Sequence, residues 1–304
     1  MAGILNRTGD ELGIFIVNED GSVEEITKVQ EIYYEVSSIK KALPYIIRDG
    51  IASLDYGRLM ALASAAVKAA MKRNNDEEKK KIFAKKDRSR ARFCEVSYRG
   101  KKFRFDYDLS AVYALFLCNE YDLKEDDIKG KVVVDAGANV GIFSLMCSAF
   151  GPKKIYAFEP VKETYDMLCE NVRRNNLQGI VLPVNKALGD ASSEATIRYD
   201  GSGDVGASIT IDRGAKKTQT IEIVTLDSII GDEEVGFIKM DVEGYEEPAL
   251  LGASSTIKKS KPVLSFSAYH KPNDKTRLPE VLRSIRSDYS MKLNHFSDEN
   301  FFCK

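Results

Sequence analysis

One short stretch of the sequence, VVVDAGANVGIFS at residues 132–144, places an acid and two glycines where a small ligand can bind. A buried apolar strand runs directly into a glycine-rich turn and then into a helix, which is the context that a nucleotide-type ligand needs. Gly137 permits backbone geometry closed to other residues, and it has no Cβ to collide with a ligand. Gly141 lets the helix begin close against the sheet, while Asn139 offers polar groups at the start of the helix. The stretch therefore predicts a ligand crevice beside Asp135.

A second acid, Glu159 in IYAFEP, stands at the tip of the next strand, 24 residues after Asp135. This spacing is close to the ~20 residues at which a carboxylate on the second strand reaches ribose hydroxyls. Taken alone, Asp135 also fits a turn or helix-capping acid, and Glu159 an exposed charge at a strand end. The shared strand–turn–helix context favours a ligand site for both.

A dinucleotide cofactor would occupy the same crevice and is the natural alternative. Its sites usually show GxGxxG, whereas this turn reads GxxxG and follows an acid. A carboxylate repels a pyrophosphate but attracts the positively charged amino-acid end of S-adenosylmethionine. The charge of Asp135 therefore favours S-adenosylmethionine over NAD.

After Gly130 the sequence alternates between strand and helix segments. Continuous Val/Ile runs separated by helices are typical of a parallel sheet covered on both faces. The predicted strands are KVVVDA (131–136), KIYAFE (154–159), GIVLPV (179–184), GFIKMD (236–241), PVLSFS (262–267), YSMKLNHF (289–296) and NFFCK; the predicted helices are 141–150, 161–176, 245–258 and 276–287. Residues 187–224, with ATIRYD, ASITID and QTIEIVTL, predict a β-rich insertion.

The first hundred residues predict a separate small unit. Residues 11–28 alternate around a turn at 18–21, and FCEVSYRG with KKFRFDYD predicts a second hairpin. Apolar residues at helical spacing over 45–71 predict one or two helices interrupted near Gly50. We therefore predict an N-terminal helical and hairpin extension at 1–105, a candidate for substrate binding, followed by a second domain at 106–304.

The formal net charge of −1 is unevenly distributed. Residues 72–104 hold fourteen Lys or Arg and five acids, which gives +9 there and −10 elsewhere. Such a segment is suited to phosphates of nucleic acid, lipid head groups or a nucleotide-linked substrate. A solvated helix is the favoured interpretation, because acids at 76–78 precede the lysines as the helix dipole prefers.

The remaining composition is that of an ordinary globular protein, with 43% hydrophobic and 30% charged residues. We expect no membrane span, because no apolar run approaches ~18 residues, and no signal peptide. Five scattered cysteines without a CxxC pair, together with only two histidines, predict a reduced, cytoplasmic protein without a zinc site.

Four motifs together resemble the FkbM-type S-adenosylmethionine-dependent methyltransferases: VVVDAGANVGIFS, YAFEP, VTLDSII and FIKMDVEGYEEPALLGA. The pairing of TLD with KMDVEGYE is much more specific than the glycine turn. The resemblance covers roughly Asn119 to the C-terminus. It implies an α/β fold, a doubly wound seven-stranded Rossmann-like sheet with a reversed last strand, over the predicted domain 106–304. It also implies methyl transfer from S-adenosylmethionine, usually to an oxygen of a sugar, polyketide or related small molecule.

The resemblance also implies roles for individual residues around the donor. Tyr121, in NEYD, matches a tyrosine that precedes the donor motif in many members, and it is expected to line this pocket as well. The methionine part is held by Asp135, Gly137 and Asn139, the ribose by Glu159, and the adenine is flanked by Ala187 and Leu188. Many members follow the fifth strand with a glutamate and then a histidine, whereas this chain has SFSAYHKPND at 265–274.

Methyl transfer to a hydroxyl is helped by a general base beyond the carboxyl ends of the strands. His270, just past the fifth strand, is favoured as a neutral imidazole base, with Asp241 orienting the acceptor. His270 as a purely structural residue is the alternative. A third interpretation has Asp241, Glu243 and His270 hold a divalent ion. Lys239 is expected to pair with a carboxylate and is given no catalytic role.

The resemblance implies a small-molecule or glycan acceptor, with a sugar-like or lipid-linked hydroxyl as the default and a hexuronic carboxylate also open. RNA is the runner-up acceptor because of the basic segment 72–104. Against base methylation, the fourth strand is followed by Asp-Val-Glu-Gly rather than NPPY or DPPY. A non-catalytic nucleotide-binding module is the alternative of another class. The oligomeric state is left open.

Overall fold

The structure is a computed structural model that describes residues 4–5, 11–18, 21–26, 91–105, 112–117, 119–201, 203–204, 206–295 and 299–304. The chain divides into two compact units, Met1–Glu120 with His295–Ser297, and Tyr121–Asn294 with Asp298–Lys304. The helices predicted at 45–71, and most of the basic segment 72–104, lie outside the described residues. The predicted boundary between residues 105 and 106 stays a prediction.

The first unit contains a five-stranded sheet built from two hairpins. Its strands are β1 (Ile4–Leu5), β2 (Glu11–Asn18), β3 (Val23–Ile26), β4 (Ala91–Tyr98) and β5 (Lys101–Phe105). β2 pairs antiparallel with both β3 and β4, and β4 pairs antiparallel with β5. The turn between β4 and β5 uses Arg99 and Gly100 at positive φ. Both predicted hairpins are confirmed.

The second unit contains a seven-stranded sheet in the order β14-β15-β13-β12-β6-β7-β8. These strands are β6 (Val132–Ala136), β7 (Lys154–Phe158), β8 (Val181–Val184), β12 (Val235–Met240), β13 (Val263–Ser267), β14 (Met291–His295) and β15 (Glu299–Cys303). The five strands from β13 to β8 are parallel, and β15 runs antiparallel to β13. The predicted sheet with a reversed last strand is confirmed.

The central strands form because most of their side chains, on both faces, are apolar. Every residue of β6 and of β13 is buried, as a sheet covered on both sides requires. The helices of this unit are α1 (Glu125–Ile128), α2 (Ile142–Ser148), α3 (Lys162–Arg174), α4 (Leu226–Ile230), α5 (Glu246–Leu251), α6 (Ser254–Ser260) and α7 (Asp274–Ile285). In the described ranges, no helix combines the length and apolarity needed to cross a bilayer.

One predicted helix, 245–258, is divided into α5 and α6 at Gly252. A Cβ on this glycine would lie 1.8 Å from the backbone oxygen of Gly189, so the backbones of the two residues are in direct contact. A side chain at position 252 would separate them. The sequence pattern did not show this contact, because the two glycines are far apart in the chain.

The segment 187–224 forms a three-stranded sheet of β9 (Ala187–Leu188), β10 (Ser193–Tyr199) and β11 (Lys217–Val224), in the order β10-β11-β9. The β-rich insertion is confirmed, but ASITID is not a strand and makes a single bridge, from Ser208 to Arg198. Instead, the hydroxyls of Ser208 and Thr210 donate to the backbone oxygens of Glu243 and Gly244. These side chains support the loop after β12.

Candidate active site

The glycine turn after β6 lies between the ends of two neighbouring strands. The backbone N–H groups of Gly137 and Ala138 both donate to the Phe158 oxygen at the end of β7, at 3.1 and 2.8 Å. Gly137 has φ +74°, and a Cβ there would lie 1.9 Å from the backbone oxygen of Asp241. The glycine therefore makes room for the end of β12, and its role beside a ligand stays a prediction.

Asp135 lies beneath the turn and is fully buried. It accepts a 2.7 Å hydrogen bond from the Ser144 hydroxyl, and its other oxygen is 3.2 Å from Lys239 Nζ. The same ammonium donates to the backbone oxygen of Gly137 at 2.6 Å. The expected pairing of Lys239 with a carboxylate is confirmed, and the pair holds the turn from below. Contact between Asp135 and the donor stays a prediction.

Glu159 and Asn139 come together, as predicted. One carboxylate oxygen of Glu159 accepts the backbone N–H of Asn139 at 3.0 Å, and the other accepts that of Val161 at 2.9 Å. Asn139 has φ +49°, a left-handed conformation that directs its N–H toward the acid. Burial raises the pKa of Glu159 to about 7, in spite of the two backbone donors. A desolvated carboxylate of this kind gains much from further hydrogen-bond donors.

Gly141 begins α2 with φ +88°. A Cβ there would lie 2.4 Å from Leu168 Cδ1, so the close neighbour is the side chain of α3 and not the sheet that the sequence suggested. Ala187 and Leu188 are both buried in β9, where they pair with β11. Their place beside an adenine stays a prediction.

The residue that follows β12, Asp241, is held by two hydroxyl groups. Ser267, at the end of β13, donates to one of its carboxylate oxygens at 3.0 Å, and Tyr121 donates to the other at 3.2 Å. The Tyr121 ring packs edge-on against Phe143 at 5.3 Å. Tyr121 therefore lies at the edge formed by the carboxyl ends of the strands, where the glycine turn also lies. Ser267 was not predicted, although its position as the last residue of a buried strand is a signal for a polar group at this edge.

Beside Asp241 lies His270, whose side chain is fully buried. Its Nε2 is 3.6 Å from a carboxylate oxygen of Asp241 and 3.3 Å from one of Glu243, and its Nδ1 is 2.9 Å from Glu246 Oε1. We call Asp241, Glu243 and His270 the acid–histidine cluster. Glu246 was not predicted, because it looks like an ordinary acid in the first turn of α5. His295, the second histidine of the chain, ends β14, and its side chain lies outside the part of the chain that the structure describes.

The protonation state of His270 differs from the expected neutral imidazole. Burial lowers the pKa of His270, but the carboxylates of Glu243, Glu246 and Asp241 outweigh this effect and raise the pKa to about 10. An imidazolium cannot accept a proton until its own proton has left. The three acids therefore favour the protonated form of His270, and its role as the base stays a prediction.

Comparison with known proteins agrees with this geometry. The family profile described as the Methyltransferase FkbM domain matches residues 135–291, which include the glycine turn and the acid–histidine cluster. The chain belongs to the FkbM methyltransferase family. The resemblance seen in the sequence is thereby confirmed, and the chain is a methyltransferase.

Among relatives of this FkbM-family chain, the hexuronic acid methyltransferase AglP of Haloferax volcanii is 30% identical over 184 residues, which cover 59% of this chain and 71% of AglP. Methyltransferase sdnD of Sordaria araneosa is 32% identical over 100 residues, 31% of this chain and 38% of sdnD. A crystal structure of methyltransferase FkbM from Methylobacillus flagellatus matches at 24% identity and a TM-score of 0.46, over 64% of this chain and 53% of that one. The chain thus spans about half the length of that solved protein.

Proposed function

We propose that this chain transfers the methyl group of S-adenosylmethionine to a hydroxyl oxygen of a glycan or small molecule. The observation that supports the proposal is the arrangement around the glycine turn. Glu159 follows β7 and Asp241 follows β12, the two strands that flank β6 in the sheet. One turn therefore separates a carboxylate suited to a ribose from an acid–histidine cluster suited to a hydroxyl.

The residues on the donor side fit the adenosyl group by their chemistry. Each oxygen of Glu159 accepts one backbone N–H, which leaves lone pairs for two ribose hydroxyls. Asn139 and Tyr121 border the same turn, and the buried Ala187 and Leu188 offer an apolar surface for the base. Asp135 would act through the turn that it holds. When bound, S-adenosylmethionine supplies an electrophilic methyl group.

On the acceptor side, Asp241 is the group that would receive the hydrogen bond of the incoming hydroxyl. Its carboxylate is oriented by Ser267 and Tyr121 and is 24% exposed, so an acceptor can approach it. Orientation of the two reacting groups supplies much of the acceleration in such a transfer. Similarity to the hexuronic acid methyltransferase AglP supports a glycan acceptor.

The proposal is tested by methyl transfer from tritiated S-adenosylmethionine to three pools: a hexuronate-containing glycan, the matching neutral glycan, and RNA. We expect label in both glycan pools. The label should resist mild alkali, because a methyl ether is stable under these conditions whereas a methyl ester is hydrolysed. Label in RNA would overturn the glycan acceptor. Tight binding of S-adenosylhomocysteine with no transfer to any pool would instead favour a non-catalytic binding module.

Donor binding should depend on pH through Glu159. Ribose hydroxyls donate to the ionised carboxylate, so binding favours the deprotonated form of Glu159. The pKa of this carboxyl group without ligand is about 7. Affinity for S-adenosylhomocysteine should therefore rise with pH, by up to about tenfold per unit below 7, and level off above it. Calorimetry between pH 5.5 and 8 checks this, with release of a proton on binding near pH 6. Glu159→Gln should bind more weakly and lose this pH dependence; the same pH dependence in the variant would contradict the assignment.

A further inference from the structure

The acid–histidine cluster brings together three atoms of the types that ligate metals. One imidazole nitrogen and one carboxylate oxygen from each of Asp241 and Glu243 all lie within 4.8 Å of one another. The two acids come from the end of β12 and the loop after it, and His270 from the loop after β13. The cluster is therefore built from two neighbouring strand ends at the same edge of the sheet.

The buried imidazole provides an independent indication. His270 Nε2 is inaccessible to solvent and has no hydrogen-bond partner among the residues that the structure describes. It faces the carboxylate oxygens of Glu243 and Asp241 at 3.3 and 3.6 Å, but without hydrogen-bond geometry to either. A buried polar atom without a partner is costly. A ligand bound between the three side chains would satisfy it.

Glu246 gives His270 the surroundings of a metal-bound histidine. Its Oε1, on a side chain that is 1% exposed, lies 2.9 Å from Nδ1 and also accepts the backbone N–H of Val242 at 3.1 Å. A divalent cation would displace the proton from Nε2, so that this nitrogen becomes a ligand while Nδ1 still donates to Glu246. Metal-ligating histidines almost always donate their second N–H to a carboxylate or carbonyl in this way.

The two acids are also held in place. Asp241 accepts hydrogen bonds from the hydroxyls of Ser267 and Tyr121. The backbone of Glu243 adopts φ +53°, which is unusual for a residue other than glycine. Glu243 pairs with Arg213 at 2.8 Å, but the arginine side chain is 42% exposed. An ion pair with an exposed arginine contributes little, so a divalent cation can displace it.

From this geometry we propose that Asp241, Glu243 and His270 bind one divalent cation of the Mn²⁺ type. Two carboxylates and one imidazole are ligands that such a cation accepts, and open positions remain for solvent or an acceptor. The cation's role rests on the proposed function: it would bind the oxygen of the acceptor hydroxyl and ease loss of the hydroxyl proton to water. Cation binding itself can be measured without any acceptor.

The test is a Mn²⁺ titration of the chelator-treated full-length protein, followed by electron paramagnetic resonance. We expect one Mn²⁺ per chain, with a ¹⁴N coupling from His270 in pulsed spectra. Asp241→Asn, Glu243→Gln and His270→Gln should each weaken binding by at least about 100-fold, because loss of an outer partner of a ligand already costs about 10–100-fold. Glu247→Gln is the matched control, because Glu247 is an acid of α5 that pairs with the surface arginine Arg277.

The results separate the cation site from the methyl-donor site. No Mn²⁺ binding up to millimolar concentration, no nitrogen coupling in the wild type, or unchanged binding by Glu243→Gln would each overturn the cation site. Binding of S-adenosylhomocysteine is measured on the same samples and reports folding of the variants. If the protein binds S-adenosylhomocysteine but no Mn²⁺, the proposed function stands and the cation site is overturned. If it binds Mn²⁺ but no S-adenosylhomocysteine, only the proposed function is overturned.

Discussion

Glu159→Ala is expected to weaken binding of S-adenosylhomocysteine by roughly 100-fold or more. Each hydrogen bond to a charged group contributes about 1.5–3 kcal/mol, and the ribose offers two hydroxyls to this carboxylate. Loss of both contacts therefore costs about 3 kcal/mol or more, where each 1.4 kcal/mol is a factor of ten. Isothermal titration calorimetry on the two proteins measures the difference directly.

Two further variants make the result specific to the carboxylate. Glu159→Gln keeps acceptor oxygen for one hydroxyl, so it should lie between the wild type and Glu159→Ala. Glu163→Gln removes an exposed acid of α3 that pairs with Lys217 at the surface, and it should bind as the wild type does. Equal affinity of Glu159→Ala and wild type would remove this residue from the donor site.

The sheet was predictable because its strands obey a local rule. β6, β12 and β13 consist mainly of apolar residues, as a strand buried on both faces requires whatever its neighbours are. Their ends were predicted to within two residues, because Pro, Gly or charged residues stand close to at least one end of each run. Glu159 and Asp241 were found for the same reason: each is the first acid after a buried strand.

What the sequence did not show depends on contacts between distant segments. The close approach of Asp241 to Gly137 joins residues about a hundred positions apart, so the local sequence could not predict this contact. The state of His270 depends on three acids supplied by another loop and helix. ASITID alternates like a strand, but its hydroxyls bind the loop that holds Glu243. In each case tertiary contacts outweigh the local pattern.

Loss of the buried ammonium beneath the turn should have the largest effect on stability. We expect Lys239→Met to lower the free energy of unfolding by roughly 3–5 kcal/mol, because Asp135 would remain as a buried charge without a cation. Lys239 is 4% exposed and Asp135 is fully buried, so water cannot replace the lost ammonium. Urea denaturation followed by circular dichroism measures the change.

The second substitution distinguishes the charge from the packing. In Lys239→Met, Asp135→Asn the uncompensated charge is gone, while an amide at position 135 can still bond Ser144, so part of the lost stability should return. Lys154→Met, which removes a surface ammonium beside Glu233, should change stability little. If the double variant were no more stable than Lys239→Met, the loss would come from the missing contacts to the Gly137 and Ala136 oxygens. The turn would then be held by those hydrogen bonds and not by the ion pair.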